Sequence, residues 1–538
     1  MPVPSAPAGT LAAPSDAGSR RGLRSRLSHR VPPALRHRLW DWGGPAFVVL
    51  LAAVLRLWNL GTPHELMTDE TFYVKDAYTL LNLGYESAWP DDADARFEAG
   101  STDIFTTDAS FVVHPPLGKW LIALGLAAFG AESSVGWRIA SAVTGILAVL
   151  VLTLVARRLF ASTTLGVLAG GLMAVDGHAI VMSRVAFLDN FLMLFALLGF
   201  ACVLLDRRNA AARLDAALAR HSTERASPGA FGPVLWWRPW LLAAGIAFGC
   251  ATAVKWSGLY FLAAFAVYSV VVDMLARRRA GVPLWLSGTV LKQAPITFLH
   301  TVPVALAVYL VSYTGWFRTS GGWNRDFAMI GDNAATGAFA WVPLPLQSLW
   351  QLHVSQYAYH VSVEADHPYK ANPLTWLLLV RPFQMFYRAS ENGENGCEFA
   401  RCSEAVSSVA NPLLWWAASA AMLYLVYRLA RYREWQVGLL LTGMAAGYLP
   451  WLLYLNRTVF QFYSIAFEPY LLLGITFVLG LVLGSRSDPP DRRDVGIAAV
   501  VGFLVLVLLV SAFFYPIWTG MQVPTWFWNA HNWLRSWV

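Results

Sequence analysis

A chain of 538 residues is long enough for several soluble domains. The composition excludes that: 57% of the residues are hydrophobic, only 14% are charged, and the mean hydropathy is +0.47. The formal net charge of +7 implies no nucleic-acid partner, because the basic residues sit in short segments between apolar runs, where the positive-inside tendency accounts for them.

Residues 1–40 are rich in Ala, Pro, Ser and Arg and read as a disordered cytoplasmic tail. The first apolar run comes too late and is too long for the core of a cleaved signal. From there on, apolar runs of transmembrane length recur, with many of the 25 Trp residues at their ends, as in an aromatic belt. The basic clusters are "RRGLRSRLSHR", "RRLF", "DRRNAAARLDAALARHSTER", "ARRRAG", "YRLARYREW" and "SRSDPPDRRD". Placing all of them in the cytoplasm predicts about eleven spans, near 44–60, 137–156, 162–180, 188–205, 240–254, 257–275, 293–314, 412–428, 436–454, 464–483 and 494–515. The N-terminus is then inside and the C-terminus outside. Residues 41–538 form one all-α polytopic domain, and two long segments, 61–136 and 315–411, face outward. The second contains amphipathic pieces such as "WVPLPLQSLWQLHVSQYAYHV", predicted to lie flat on the membrane surface. Cys202 and Cys250 fall in apolar runs as packing residues, whereas Cys397 and Cys402 share a polar loop and are spaced for a small disulfide in an oxidising compartment.

The stretch "HELMTDETFYVKDA" puts Asp69 and Glu70 just past the first span, on the outward side. The same segment carries many other acids, Asp91, Asp92 and Asp94 among them, so a solvated acidic loop is the plain alternative to a site. Adjacent helical residues point in different directions, which suits one working carboxylate with a supporting neighbour. An opposed glycosidase pair needs separated carboxyls. The basic residues at unexpected places say more. Arg138 opens the second span, Arg184 precedes the fourth, Lys255 interrupts an apolar stretch in "ATAVKWSGLY", and Arg457 precedes the tenth. Charges at such depth imply a partner. Snorkelling or an ion pair, such as Arg184 with Asp189, competes with an anion held at the outer leaflet, for which a lipid-linked phosphate has the right chemistry. In "FVVHPPLGKWLIALG", Pro115 and Pro116 mark a helix start. They bring His114 and Lys119 forward as candidate substrate contacts, with a structural histidine and a snorkelling lysine as the alternatives.

Taken in order, a first span followed by "DE", then "HPPLGKW", an Arg opening the second span, "SRVAFLDNFLMLF", "KWSGLYF" and a late "RTVFQFYSIAF" resemble the protein O-mannosyltransferases, in their bacterial, actinobacterial branch. The similarity covers nearly all of the chain after residue 40. It implies the GT-C multispan glycosyltransferase fold and a polyprenyl-phosphate-mannose donor. The acceptor it implies is a Ser or Thr hydroxyl of a secreted polypeptide, one that could be emerging from the secretion translocon. Asp69 is then the base with Glu70 beside it, and Arg138 the main phosphate contact, with Lys255 and Arg457 as further cations. His114, Lys119, Arg184 and Tyr463 remain candidate substrate contacts. Two departures stand out. The soluble insertion of the eukaryotic branch is missing from 315–411. The late motif reads "QFYSIAFEPY" where relatives have His-Tyr and "LPA", which weakens any inherited role for Gln461, Tyr463 and Glu468.

The chemistry implied agrees with these residues. A sugar on a lipid phosphate has an activated leaving group, so fixed cations must meet the charge that grows on the phosphate. A neutral hydroxyl needs one base, and a single displacement inverts the anomeric centre. No cofactor and no metal are expected, since no His and carboxylate cluster has ligand spacing. The expected partners are the lipid-linked donor, the polypeptide acceptor and membrane lipids, at the plasma membrane, with the site on its extracytoplasmic side. A GT-C transferase acting on cell-wall glycan or lipid would have the same site residues. A transporter would show repeat-related halves with interrupted helices, and a membrane scaffold leaves the deep basic residues unexplained.

Overall fold

The computed structural model describes residues 33–223, 230–485 and 487–538. Among them, eight helices are long and apolar enough to cross a membrane: Trp40–Leu57, Ser134–Leu159, Leu188–Arg220, Gly258–Arg279, Trp285–Ser312, Pro412–Tyr432, Trp435–Leu453 and Pro490–Trp518. Three shorter apolar helices, Thr163–Val175, Pro239–Val254 and Glu468–Leu483, occupy the other expected span positions. A fourth, Leu117–Phe129, lies in the 61–136 segment, directly after Pro116. The Leu188–Arg220 helix has 72% of its most apolar stretch buried and is the central post, while Pro490–Trp518, at 22%, stands at the periphery.

Element ends depart from expectation where local chemistry overrides hydropathy. The central helix runs on to Thr223, because ten of the twelve residues of "NAAARLDAALAR" are Ala, Leu or Arg, all strong helix formers. The first helix starts at Pro33, inside the expected tail, with proline at a helix start, where its missing N–H costs nothing. The rest of that tail, 1–32, lies outside the described residues. Between Pro239–Val254 and Gly258–Arg279 the chain is broken by Lys255, whose backbone is extended (φ −147°, ψ 144°).

Charge separates to the two ends of the bundle. At one end, Arg238 is held by Asp206 and Asp273, Arg277 donates to Gln293 at 2.8 Å, and Arg428 pairs with Glu434. The other end is assembled from the two long segments. Gln356 donates to the Val112 carbonyl and His360 to that of Val113, both at 2.8 Å, which joins 315–411 to 61–136. The helix Leu344–Ser362 packs Leu349 and Leu352 against Tyr309, Tyr313 and Trp316, leaving Trp350 and Tyr357 exposed.

This second end also holds what an all-helical expectation lacked, a small antiparallel sheet in the order β1 (Phe383–Glu391), β2 (Arg401–Ser408), β3 (Gln522–Pro524). Two Asn-Gly pairs, at 392–393 and 395–396, provide the turn, with positive φ at Gly393 and Gly396. Cys397 and Cys402 form a disulfide there, as their spacing allowed.

Candidate active site

Asp69 and Glu70 begin the helix Glu70–Leu83 and meet opposite surroundings. Glu70 is fully buried. Its carboxylate accepts from Arg138 Nε at 2.9 Å and Nη2 at 2.8 Å, from the Met67 N–H at 3.0 Å and from the Ala186 N–H at 2.7 Å. Asp69 is half-buried and makes no side-chain cap for its helix; among the described residues its one side-chain hydrogen-bond partner is Tyr73, whose hydroxyl lies 3.5 Å away. Burial raises the Asp69 carboxyl above the ordinary range, nearby Lys255 lowers it, and Asp189 raises it again. One carboxylate is therefore saturated, and the other is left able to accept a proton.

Three of the basic residues brought forward, Arg138 as a phosphate contact and Arg184 and Lys119 as substrate contacts, are held by protein groups. Arg138, also fully buried, donates to the Pro63 and Glu65 carbonyls as well, each at 2.7 Å, so it ties Glu70 to the loop before Asp69. Arg184 does not pair with Asp189. It donates to the carbonyls of Arg56 (2.9 Å), Trp58 (2.6 Å) and Asn59 (2.9 Å), covering the C-terminal end of the first helix, where unpaired carbonyls attract a cation. Lys119 is buried against Glu86 and Asp76. Among the remaining acids, Asp94 binds Thr71 and Lys75, and Asp92 faces Arg96.

Lys255, Arg457, His114 and Tyr463 do come together, with Asp189, Trp256 and His360, around a cavity of about 300 Å³. The break before Gly258 lets Lys255 reach Asp189 at 2.7 Å, with its Nζ 5.0 Å from the centre of the Tyr463 ring. Arg457 donates through Nη2 to Nδ1 of His360 at 3.1 Å, which is consistent with His360 carrying its proton on Nε2, toward Val113. The Arg457 Nε is buried with no partner among the described residues. His114 stacks on His360 with ring centres 5.2 Å apart and lies 6.2 Å from the Tyr73 ring, which links the cavity to Asp69. Burial, with Lys255 and other cations nearby, pushes His114 well below its usual value, and burial takes His360 down to about 4, so both are neutral at pH 7. The cavity thus offers two cations, neutral imidazoles and aromatic rings, with a proton-accepting carboxylate beside it. That set suits a sugar carried on a phosphate. Among the described residues, no group of three or more His, Cys, Asp or Glu is arranged to hold a metal ion.

Residues 105–316 match the family described as dolichyl-phosphate-mannose-protein mannosyltransferase, and residues 345–537 match the C-terminal four-transmembrane region of protein-O-mannosyltransferase. A polyprenol-phosphate-mannose–protein mannosyltransferase of Mycolicibacterium smegmatis is 34% identical over 93% of this chain and 93% of its own length. The chain belongs to the protein O-mannosyltransferase family. A relative of the same description from Mycobacterium tuberculosis is 32% identical over 93% of this chain and 92% of its own, and one from Corynebacterium glutamicum 28% over 97% and 98%. The fold is that of the Saccharomyces cerevisiae protein O-mannosyltransferase Pmt1-Pmt2 complex bound to the sugar donor. There the TM-score is 0.68 at 16% identity, covering 96% of this chain and 94% of that one. The chain is a GT-C, multi-pass membrane protein.

Within this family member the "SRVAFLDN" stretch acquires a physical meaning. Ser183 accepts from Arg56 at 3.1 Å, Arg184 caps the first helix, the Ala186 N–H holds Glu70, Asp189 holds Lys255, and Asn190 donates to the Ser141 carbonyl at 2.8 Å. Sequence reasoning missed His360, Tyr73 and the Asp189–Lys255 pair. The signal for His360 was its place in an amphipathic helix read only as a surface element.

Proposed function

We infer that the protein transfers mannose from polyprenyl-phosphate-mannose to Ser or Thr hydroxyls of secreted polypeptides as they emerge from the secretion translocon, on the extracytoplasmic face of the plasma membrane. The observation that carries this reading is the proton-accepting Asp69 beside a cavity bearing Lys255 and Arg457, in a chain whose relatives are described as polyprenol-phosphate-mannose–protein mannosyltransferases. The orientation rests on charge. The end rich in arginine is the cytoplasmic one by the positive-inside tendency, which leaves Asp69 and the disulfide outside.

In this reading the acceptor hydroxyl oxygen attacks the anomeric carbon, the bond from that carbon to the phosphate oxygen breaks, and polyprenyl phosphate leaves with the electron pair. Asp69 takes the hydroxyl proton. Arg457, with its unpaired Nε, and Lys255, whose ammonium is held in place by Asp189, meet the charge gathering on the phosphate. Tyr463 and His114 line the sugar's space, and a β-linked donor gives an α-linked product. Glu70 and Arg138 position Asp69 without touching substrate, and Lys119 and Arg184 hold the scaffold. The scheme draws on no cofactor and no metal; the lipid-linked sugar is itself a substrate.

The test is an assay of purified protein in detergent with labelled polyprenyl-phosphate-mannose and a Thr-rich peptide. Label on the peptide with inverted stereochemistry is the expected result. Label that reaches only glycan or lipid acceptors would overturn the choice of acceptor.

A further inference from the structure

At the end of the bundle opposite Asp69, a groove of about 940 Å³ opens between the first helix and the helices Ser134–Leu159 and Leu188–Thr223. It has two kinds of wall. Toward the middle of the bundle it is lined by Leu154, Leu198 and Leu205; at its mouth stand Arg157, Arg158 and Arg208, and among the described residues no carboxylate lines it. Trp42 and Trp240, both exposed, flank it at the depth where aromatic rings mark a membrane boundary.

The three arginines differ in how far the protein neutralises them. Arg157 donates to the Asp41 carbonyl at 2.8 Å, faces the Asp41 carboxylate at 3.8 Å and lies over the Trp42 ring. Asp41 is itself tied to the Thr163 hydroxyl at 2.6 Å. Arg208 uses one nitrogen on the Arg158 carbonyl at 2.9 Å, which caps the end of Ser134–Leu159. Arg158 and Arg208 are both exposed, and neither forms an ion pair among the described residues. Ser162 and Thr163 also line the mouth, where the 13-residue helix Thr163–Val175 begins, so the positive end of its dipole adds to the same field.

We propose that this groove is a binding site for an anionic phospholipid of the leaflet opposite the catalytic cavity, with Arg158 and Arg208 on the phosphate and the leucine wall along an acyl chain. The shape selects a lipid over a soluble anion, because a free phosphate has no use for the apolar wall. The charge selects an anionic headgroup over a zwitterionic one, since two guanidiniums are uncompensated. A second groove at the same end supplies the contrast. It is lined by Arg207, Arg279 and Arg433, but also by Glu434, which Arg428 grips at 2.6 and 2.8 Å. Glu434 is matched there by Arg428, so the second groove serves to test whether positive charge at this end is enough by itself.

The test uses the full-length protein in phosphatidylcholine nanodiscs, titrated with labelled phosphatidylglycerol. Arg158→Gln with Arg208→Gln is expected to weaken binding by about fivefold for each arginine, the size of one basic residue's attraction to an anionic surface. Leu154→Trp, which fills the apolar wall and leaves the charge intact, is expected to weaken it as well. Arg279→Gln with Arg433→Gln should leave it within about twofold, the margin expected of residues outside the site. Equal weakening by both arginine pairs would reduce the groove to the general positive charge of this end. Displacement by inorganic phosphate, or equal retention of labelled phosphatidylcholine, would also overturn the proposal. Should the glutamine pair fail to fold, the Leu154→Trp result decides between a lipid and nothing.

Discussion

Around Glu70 each carboxylate oxygen has two donors, and Arg138 divides its fork between that carboxylate and two loop carbonyls. Beside the neighbouring cavity the matching is incomplete: Asp69 has Tyr73 at 3.5 Å, and Arg457 keeps an unpaired Nε. The two regions hold the same kinds of residue, and charge alone does not tell them apart. Buried polar groups ordinarily find partners, so an incomplete set beside a cavity marks where a ligand completes it. In the proposed mechanism the saturated region is the frame and the unsaturated one the place of reaction.

Breaking the frame should have the largest effect. Arg138→Ala leaves Glu70 buried without its counter-charge, on two backbone N–H donors alone, and frees two loop carbonyls, at a cost of about 3–5 kcal/mol. Thermal unfolding in detergent should show a large drop in stability together with lost activity. Arg138→Lys restores little, since an ammonium cannot reproduce a planar fork. An Ala variant with normal stability and selectively lost donor affinity would return Arg138 to the phosphate.

The next change is confined to the cavity. Arg457→Ala should lower turnover by about 10²–10³-fold, the scale of a lost transition-state donor, with stability near that of the parent. Kinetics beside a melting curve separate this outcome from the Arg138 one.

A smaller change tunes the base. Asp69 must be ionised to accept a proton, so activity falls as pH drops through its raised folded-state value. Lys255 lowers that value, so Lys255→Met should move the acid limb of the pH–rate profile to higher pH. Asp189 raises it, so Asp189→Asn should move the limb the other way. A limb that stays fixed in both variants would detach Asp69 from the titration.

Much of the fold was legible in the sequence because lipid solvent imposes long apolar runs and segregated charge. All the expected span positions carry helices, although Thr163–Val175 is short and the central helix overshoots on helix-forming residues. The β1–β2 hairpin was not read, since its short alternation is a weaker signal than hydropathy, even with two Asn-Gly pairs to announce it. For the site, sequence order brought forward Asp69, His114, Lys255, Arg457 and Tyr463, which the structure gathers at or beside one cavity. For Arg138, Arg184 and Lys119 it left the partner open, for one reason. A deep basic residue announces that it has a partner, but only three-dimensional contact shows whether that partner is a carbonyl, a carboxylate or a ligand.

The central claim, that Asp69 takes the proton while its neighbours hold it in place, is tested most directly by Asp69→Asn. Transfer and donor binding should be measured on the same folded preparation. The account predicts turnover lower by about 10²–10⁴-fold, the usual contribution of a general base, with polyprenyl-phosphate-mannose still bound. Asp92→Asn, on the surface beside Arg96, should transfer normally. Equal and mild losses in the two variants would contradict the account and leave the acids of this segment as wetted surface.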